Sequence, residues 1–176
     1  PSGYFVDVGC HHGTHWSNTY SLEQNGWKGI GIDPFPLFFD IRPNTVVEKA
    51  IVYDVAGIDV DFVLCEEYSG IVDDIILHKN KTTGKPIEKL KTQLLADILD
   101  KHNAPNFIEY LSLDTEGSEY KILSTFPFDK YSFGCITIEH NFEEPRRQQM
   151  RELLSEKGYK LCQEAQWDDW FIFKNI

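Results

Sequence analysis

Short apolar runs alternate with amphipathic segments along the chain, which predicts alternating strands and helices and therefore an α/β fold. Strands are predicted where apolar residues cluster, over residues 5–8, 28–33, 45–52, 107–113 and 133–139. Helices are predicted over residues 16–24, 92–102 and 145–157, with Asn25-Gly26 ending the first and Gly158 the last. We therefore expect a mostly parallel sheet that is covered by helices on both faces.

Three segments add to this alternation. Residues 58–65 alternate enough to predict an extra β-ribbon, and residues 159–163 and 170–174 predict a closing antiparallel pair. Residues 78–91 are rich in lysine, contain Gly84 and Pro86 and hold few apolar side chains. That segment is predicted to be a mobile surface loop, with a lid over the substrate as the alternative.

Length and composition indicate one packed domain. The 176 residues, 41% hydrophobic and 14% aromatic, are enough to bury a sizeable core. A formal net charge of -11 argues against a nucleic-acid-binding surface and favours a neutral small molecule or glycan as partner. The sequence shows neither a signal peptide nor an apolar run long enough to span a bilayer. Because the chain starts almost directly on a core strand, we expect a domain trimmed from a longer protein.

The cysteines are widely separated, at Cys10, Cys65, Cys135 and Cys162, and none of them forms a C-x-x-C pair. Three lie in apolar, strand-like contexts, so buried free thiols are predicted. Free thiols are typical of a reducing compartment, and a cytoplasmic location is the expectation.

The first predicted strand ends in the pattern D-x-G-x-x-x-G, formed by Asp7, Gly9 and Gly13. A strand that turns into a helix over bare backbone is typical of sites that hold a nucleotide-like ligand at a helix N-terminus. The third glycine of the dinucleotide fingerprint and the lysine of a P-loop are both missing. Asp7 is expected to anchor the turn and the ligand's amino group.

Four predicted strands finish on a carboxylate, at Asp7, Asp33, Asp114 and Glu139. Ligands of open α/β sheets bind at the carboxyl ends of the strands, so these acids are expected to meet at one site. Asp33 lies 20 residues beyond Gly13, a position from which an acid accepts hydrogen bonds from a ribose diol. That role is shared by NAD enzymes and methyltransferases and leaves the cofactor open.

The acids continue into two polar clusters. Asp114 is followed by Glu116 and Glu119 where a strand passes into a helix, and acids in a first helical turn also favour the helix dipole. The fifth strand closes on Glu139-His140-Asn141. His140 is either a general base, since its ordinary pKa is near neutral, or a structural histidine.

With these residues in view, the chain resembles the FkbM family of methyltransferases that use S-adenosylmethionine (SAM). The matching stretches are residues 5–13, 17–19, 26–30, 32–34, 69–71, 110–119, 126–128, 138–141 and 168–171. They run in order along nearly the whole chain. Cys10 replaces a usual small residue and His12 a common acid, and neither change prevents a backbone-mediated turn from binding the cofactor.

The resemblance implies a Rossmann-like class I methyltransferase fold, with a mostly parallel sheet, an antiparallel C-terminal pair and helices on both faces. It also implies methyl transfer from SAM to a hydroxyl oxygen, on a sugar of a glycan or on a glycosylated small molecule. SAM binding is then expected at Asp7, Gly9, Cys10, His11, Gly13, Ser17, Asn18, Asp33, Pro34, Ala50, Ile51 and Asp114.

Two mechanisms compete for the proton of the acceptor hydroxyl. In the first, which we favour, His140 or Glu116 acts as general base, within a catalytic set that also includes Asp114 and Glu139. In the second, Asp114 and Glu139, with Asn141 or His140, hold Mg²⁺ or Mn²⁺, as in the catechol-type O-methyltransferases that this pattern resembles.

Two other functions stay open on the sequence. One is a non-catalytic domain that binds SAM or a partner. The other, disfavoured by the missing third glycine, is an NAD-dependent oxidoreductase. The sequence identifies neither the acceptor nor the oligomeric state.

Overall fold

The computed structural model describes residues 2–174, in which strands and helices alternate. The strands are β1 (Tyr4–Val8), β2 (Lys28–Ile32), β3 (Thr45–Glu48), β4 (Ile51–Val52), β5 (Asp59–Val63), β6 (Gly70–Ile71), β7 (Ile87–Gln93), β8 (Phe107–Leu113), β9 (Ser132–Glu139), β10 (Tyr159–Ala165) and β11 (Asp168–Phe173). The α-helices are α1 (Tyr20–Gln24), α2 (Lys79–Thr82), α3 (Leu95–Lys101), α4 (Glu119–Thr125) and α5 (Arg146–Glu156), and a 3₁₀ turn spans Glu66–Tyr68.

The larger sheet has seven strands in the order β10-β11-β9-β8-β1-β2-β3. The pairs from β3 to β9 are parallel, while β11 runs antiparallel to β9 and to β10. Its register aligns four fully buried aliphatic side chains across neighbouring strands, Ile30, Val6, Leu111 and Ile136. This row explains the continuous apolar runs, because strands buried on both faces need no polar alternation.

A second sheet of four strands, in the order β4-β7-β5-β6, is inserted between β3 and α3. We call it the inserted sheet. Its core is small and consists of Ile51, Phe62 and Ile71 with a few partly buried neighbours. The main core, by contrast, joins β1, β2, β8 and β9 to side chains of α3, α4 and α5.

Most of the predicted elements are confirmed. The strands over 5–8, 28–33, 107–113 and 133–139, the ribbon over 58–65 and the closing antiparallel pair all form. The last helix also ends where predicted, at Gly158, which has a left-handed φ of 90°. None of the helices that the structure describes is long and apolar enough to cross a bilayer.

The predicted first helix is too long at its start. Helix α1 begins at Tyr20 rather than at Trp16, which is 87% exposed and has a left-handed φ of 56°. The Ser17 hydroxyl accepts hydrogen bonds from the backbone N–H groups of Thr19 and Tyr20. A serine that bonds its own following backbone competes with helix formation and holds the segment as a turn.

The strand predicted over 45–52 is two strands, because the chain leaves the larger sheet after Glu48 and joins the inserted sheet at Ile51. Similarly, the helix predicted over 92–102 starts only at Leu95, since Thr92 and Gln93 finish strand β7.

The prediction of a loop over residues 78–91 is wrong. This segment contains α2 and most of β7. Its lysines alternate along an exposed face of β7, where Lys89 and Lys91 form cross-strand ion pairs with Asp61 and Asp59, 3.1 and 3.0 Å apart. A strand with so little buried surface lacks the apolar pattern by which strands are found in a sequence.

The cysteines are free, but the prediction that they are buried holds only for Cys10. Cys65, in the turn after β5, and Cys135 are partly exposed, and Cys162 is exposed.

Candidate functional site

The connection from β1 to α1 passes close to the end of β8. The N–H groups of Gly9 and Cys10 both donate to the Ile32 carbonyl, at 2.9 and 3.3 Å, which ties this connection to β2. Gly9 has a φ of 81°, and a Cβ there would lie 1.6 Å from the Asp114 carbonyl oxygen. Only glycine fits that approach, so residues 9–13, which we call the glycine turn, are defined by backbone geometry.

Asp33 fixes the glycine turn from the end of β2. Its carboxylate accepts hydrogen bonds from the backbone N–H groups of His11, at 3.0 Å, and Phe35, at 2.7 Å. Burial raises the pKa of Asp33, although both hydrogen bonds oppose the shift. Each carboxylate oxygen keeps a lone pair, so Asp33 still has capacity for a ligand hydroxyl.

A buried network supports the glycine turn from behind. The Arg42 guanidinium pairs with Glu23 and donates to the Gly13 carbonyl, the Ser17 hydroxyl and the Thr19 hydroxyl, each at 3.2 Å. Thr19 in turn donates to the Asp7 carboxylate at 2.7 Å. Arg42 and the buried Asp7 are thereby connected through the segment that follows the turn.

Three carboxyl groups meet at the ends of β8 and β9. Asp114, Glu116 and Glu139 each offer an oxygen atom, and these atoms lie within 4.8 Å of one another. We call them the carboxylate cluster. Burial is the main cause that raises the pKa of each member, and the neighbouring Glu119 raises all three further. Repulsion from Asp114 adds to the shifts of Glu116 and Glu139, whereas a hydrogen bond between Asp114 and Glu139 lowers the pKa of Asp114 and raises that of Glu139. Like charges this close favour sharing of protons.

The remaining polar groups of this cluster have different roles. Asn141 donates its Nδ2 to Glu139 at 2.7 Å and to Glu116 at 3.4 Å. Glu119 accepts from the backbone N–H groups of Thr115 and Gly117, so it organises the turn before α4. Three carboxylate oxygens suit a hard cation such as Mg²⁺ or Mn²⁺, whereas the Asn141 amide nitrogen that faces them does not.

The cluster and the glycine turn face a single cavity of about 1290 Å³. It lies beyond the carboxyl ends of β1, β2, β8 and β9, where open α/β sheets bind ligands. The residues proposed from the sequence that line it are Asp7, Gly9, Cys10, His11, Ser17, Asn18, Asp33, Pro34, Ala50, Ile51, Asp114, Glu116, Glu139 and Asn141.

Two of the proposed residues do not line this cavity. A Cβ on Gly13 would lie 2.3 Å from the Phe38 carbonyl oxygen, so Gly13 allows the turn to pack against the chain after β2. His140 is buried behind the end of β9, where its Nδ1 accepts from the Phe142 N–H at 3.0 Å. Its Nε2 lies 3.6 Å from Asp169 and has no hydrogen-bond partner among the described residues.

The structure adds residues that the sequence did not indicate. Arg42 is one, and His78 of the inserted sheet's last connection is another, with its Nε2 3.9 Å from Glu116 Oε2. Neither belongs to a short motif, because both reach the site across long sequence separations. A signal for Arg42 would have been its position in a proline-broken segment directly after β2.

Comparison with known proteins gives one family. The family model described as the methyltransferase FkbM domain matches residues 7–161. No curated protein and no solved structure matches the chain.

Proposed function

The chain belongs to the methyltransferase FkbM family, and from that premise we propose that it is a SAM-dependent O-methyltransferase acting on a sugar hydroxyl. The observation that carries this proposal is the meeting of the glycine turn, Asp33 and the carboxylate cluster at one cavity. The strand order of the larger sheet, parallel up to β9 and antiparallel in β10 and β11, supports a Rossmann-like class I arrangement.

The residues around the glycine turn fit SAM. The bare backbone at Gly9 makes room for a ligand against the strand ends, and Asp33 has free acceptor capacity for ribose hydroxyls. Asp7 and Asp114 give this part of the cavity a negative lining, which suits a ligand with a sulfonium and an ammonium group. SAM, when bound, supplies an electrophilic methyl group.

The chain's own contribution to the reaction is orientation and proton removal. An acceptor hydroxyl must lose its proton as its oxygen gains a methyl group, and Glu116 lines the cavity to receive it. Burial and the neighbouring acids raise the pKa of Glu116, which makes its ionised form a stronger base than an ordinary glutamate. A positioned base contributes about 10²–10⁴-fold to the rate.

A methyl-transfer screen tests this proposal. The full chain is incubated with isotope-labelled SAM and a panel of free sugars, nucleotide sugars and oligosaccharides, and the methylated position is identified. We expect a hydroxyl product, and Glu116→Gln is expected to lower kcat by about 10²–10⁴-fold while calorimetry shows unchanged SAM binding. Binding of NAD but not SAM would contradict the proposal, and SAM binding without transfer to any acceptor would leave a non-catalytic domain.

A bound cation is the alternative source of proton removal. The carboxylate cluster has suitable oxygen ligands, but the Asn141 amide nitrogen, which is no ligand for a hard cation, faces it, and we propose the metal-free route. Treatment with EDTA, followed by addition of Mg²⁺ or Mn²⁺, separates the two. A methyl-transfer rate that EDTA leaves unchanged supports the metal-free route. A rate that EDTA lowers and either ion restores would mean that a bound cation, and not Glu116, promotes loss of the hydroxyl proton.

A further inference from the structure

The cavity is larger than one ligand requires. Sites for small molecules and cofactors typically enclose about 300–1,000 Å³, and this cavity measures about 1290 Å³. Part of its lining consists of the glycine turn and the strand ends, and another part includes Tyr68, His78 and Lys81 from the inserted sheet and its connections. We call the first part the donor side, and we call the second part, together with Glu116, the acceptor side.

His78 faces Glu116 across a gap. Its Nε2 lies 3.9 Å from Glu116 Oε2, which is too long for a hydrogen bond. One oxygen atom would bridge the two, since hydrogen bonds of about 2.8 Å that meet near a right angle span about 4 Å. The His78 side chain lines the cavity and is 17% exposed, so a ligand can reach its ring nitrogens.

Two sets of contacts hold the His78 ring and its segment in place. The Tyr68 ring packs against the imidazole with centroids 4.5 Å apart, and the Lys81 ammonium sits 3.6 Å from the centroid of the Tyr68 ring. Upstream, the buried Asp74 accepts hydrogen bonds from Ser118 and Lys121 at 2.7 and 2.6 Å, which ties this segment to helix α4. The imidazole is therefore held facing Glu116 before any ligand binds.

The charge of the lining selects the class of acceptor. Acidic side chains that line the cavity are Asp7, Asp33, Glu66, Glu67, Asp114, Glu116 and Glu139. Lys81 is the single lysine or arginine among the described lining residues, and the Tyr68 ring already engages its ammonium group. An anionic acceptor would lose its hydration here and meet like charges, which disfavours its binding.

We propose that Glu116 and His78 together bind one hydroxyl group of an uncharged sugar, at an acceptor subsite whose outer wall is the inserted sheet. This inference rests on the proposed O-methyltransferase activity and narrows its substrate class. The acidic lining disfavours sugar phosphates, nucleotide sugars and uronic acids.

The first test compares acceptors that differ in charge. The full chain is assayed with methyl glucoside, glucose 1-phosphate and glucuronic acid, and with the corresponding galactose and mannose series. We expect kcat/KM for the uncharged glycosides to exceed that for the anionic compounds at least about tenfold, which corresponds to about 1.4 kcal/mol. Equal or better use of the anionic compounds would overturn this inference and leave the O-methyltransferase proposal intact. Failure with every hydroxyl compound would instead overturn both.

The second test concerns His78. On the best acceptor, His78→Ala is expected to raise the acceptor KM about tenfold, the effect of one lost hydrogen bond, with SAM affinity unchanged by calorimetry. His78→Gln, which keeps a polar group at this position, should recover part of the loss. Lys79→Ala, on the exposed side of α2, is the matched control and should change neither value. An unchanged acceptor KM in His78→Ala, or an equal loss of SAM affinity, would contradict the proposal.

Discussion

The two sides of the cavity are built in different ways. On the donor side, the carboxylates of Asp7 and Asp33 already accept hydrogen bonds of 2.7–3.0 Å from the protein. On the acceptor side, the contacts of Glu116 with potential hydrogen-bond donors of the described residues are longer, at 3.4 Å to Asn141 and 3.9 Å to His78. The donor side is therefore organised before ligand binding, whereas the acceptor side keeps hydrogen-bonding capacity that a ligand can satisfy.

The two sides of the cavity therefore differ in rigidity. A cofactor of constant shape is served by fixed backbone, and the buried Arg42 network provides it. An acceptor is served by side chains in an inserted sheet with a small core, which can change without altering the larger sheet. Four substitutions, from the largest expected effect to the smallest, test this contrast.

Removal of Arg42 should have the largest effect. Arg42→Met leaves Glu23 buried without its cation and frees the turn after Gly13, and a broken buried pair costs about 3–5 kcal/mol. Lys101→Met is the control, because the Lys101 side chain is 58% exposed in its pair with Glu48 and such pairs contribute at most about 1 kcal/mol. Urea unfolding measures the free energy of unfolding of both variants. Similar decreases would show that the buried Arg42 network contributes no more stability than an exposed ion pair.

The glycine turn gives the second effect. Gly9→Ala forces a Cβ against the Asp114 carbonyl oxygen, so the free energy of unfolding should fall by about 2–4 kcal/mol and SAM affinity should fall with it. Gly26→Ala is matched in backbone conformation, with a φ of 86°, but its Cβ would meet nothing within 4 Å. We expect it to lose about 1–2 kcal/mol and to keep SAM binding. Equal losses of affinity would mean that backbone strain, and not the close approach, governs the turn.

The carboxylate cluster gives a pH-dependent effect. Because the pKa of Glu139 is raised in the folded protein, its ionisation is disfavoured there, and wild-type stability should decline as pH rises above the ordinary value of 4.5. Glu139→Gln stays neutral, so its stability relative to wild type should increase from pH 4.5 to pH 8, as urea unfolding can measure.

A second glutamate provides the control of opposite sign. The arginines beside Glu164 lower its pKa, so this group stabilises the fold at neutral pH and loses that contribution as pH falls through its folded pKa. Glu164→Gln should therefore be less stable than wild type at neutral pH and equal to it in acid. The same pH trend in both variants would contradict the assignment of the raised Glu139 pKa to its burial among other acids.

The sequence predicts the donor side of the cavity better than the acceptor side. Asp33 and Asp114 are local signals, an acid directly after an apolar strand, and the structure brings them together at one cavity. In the inserted sheet only β5 shows a signal, the alternation over residues 58–65, because Ile51–Val52 is too short and Ile87–Gln93 too exposed to show a strand pattern. The inserted sheet and its connections bring His78 close to Glu116, although the two are far apart in the sequence. Such a tertiary contact produces no local motif from which it could be predicted.

His140 should show the smallest effect on the chemistry. It directly follows the acid that ends β9, which suggested a general base, yet it does not line the cavity. His140→Asn keeps an acceptor for the Phe142 N–H and removes the partnerless Nε2. We expect kcat to fall less than about tenfold, below the contribution of a general base, with the same pH–rate profile as wild type. A loss in kcat of about 10²-fold or more, with a shifted pH–rate profile, would show that His140 takes part in the reaction. It would also mean that the imidazole moves into the cavity when the substrates bind, so that the acceptor side is completed by motion at the end of β9 as well as by the inserted sheet.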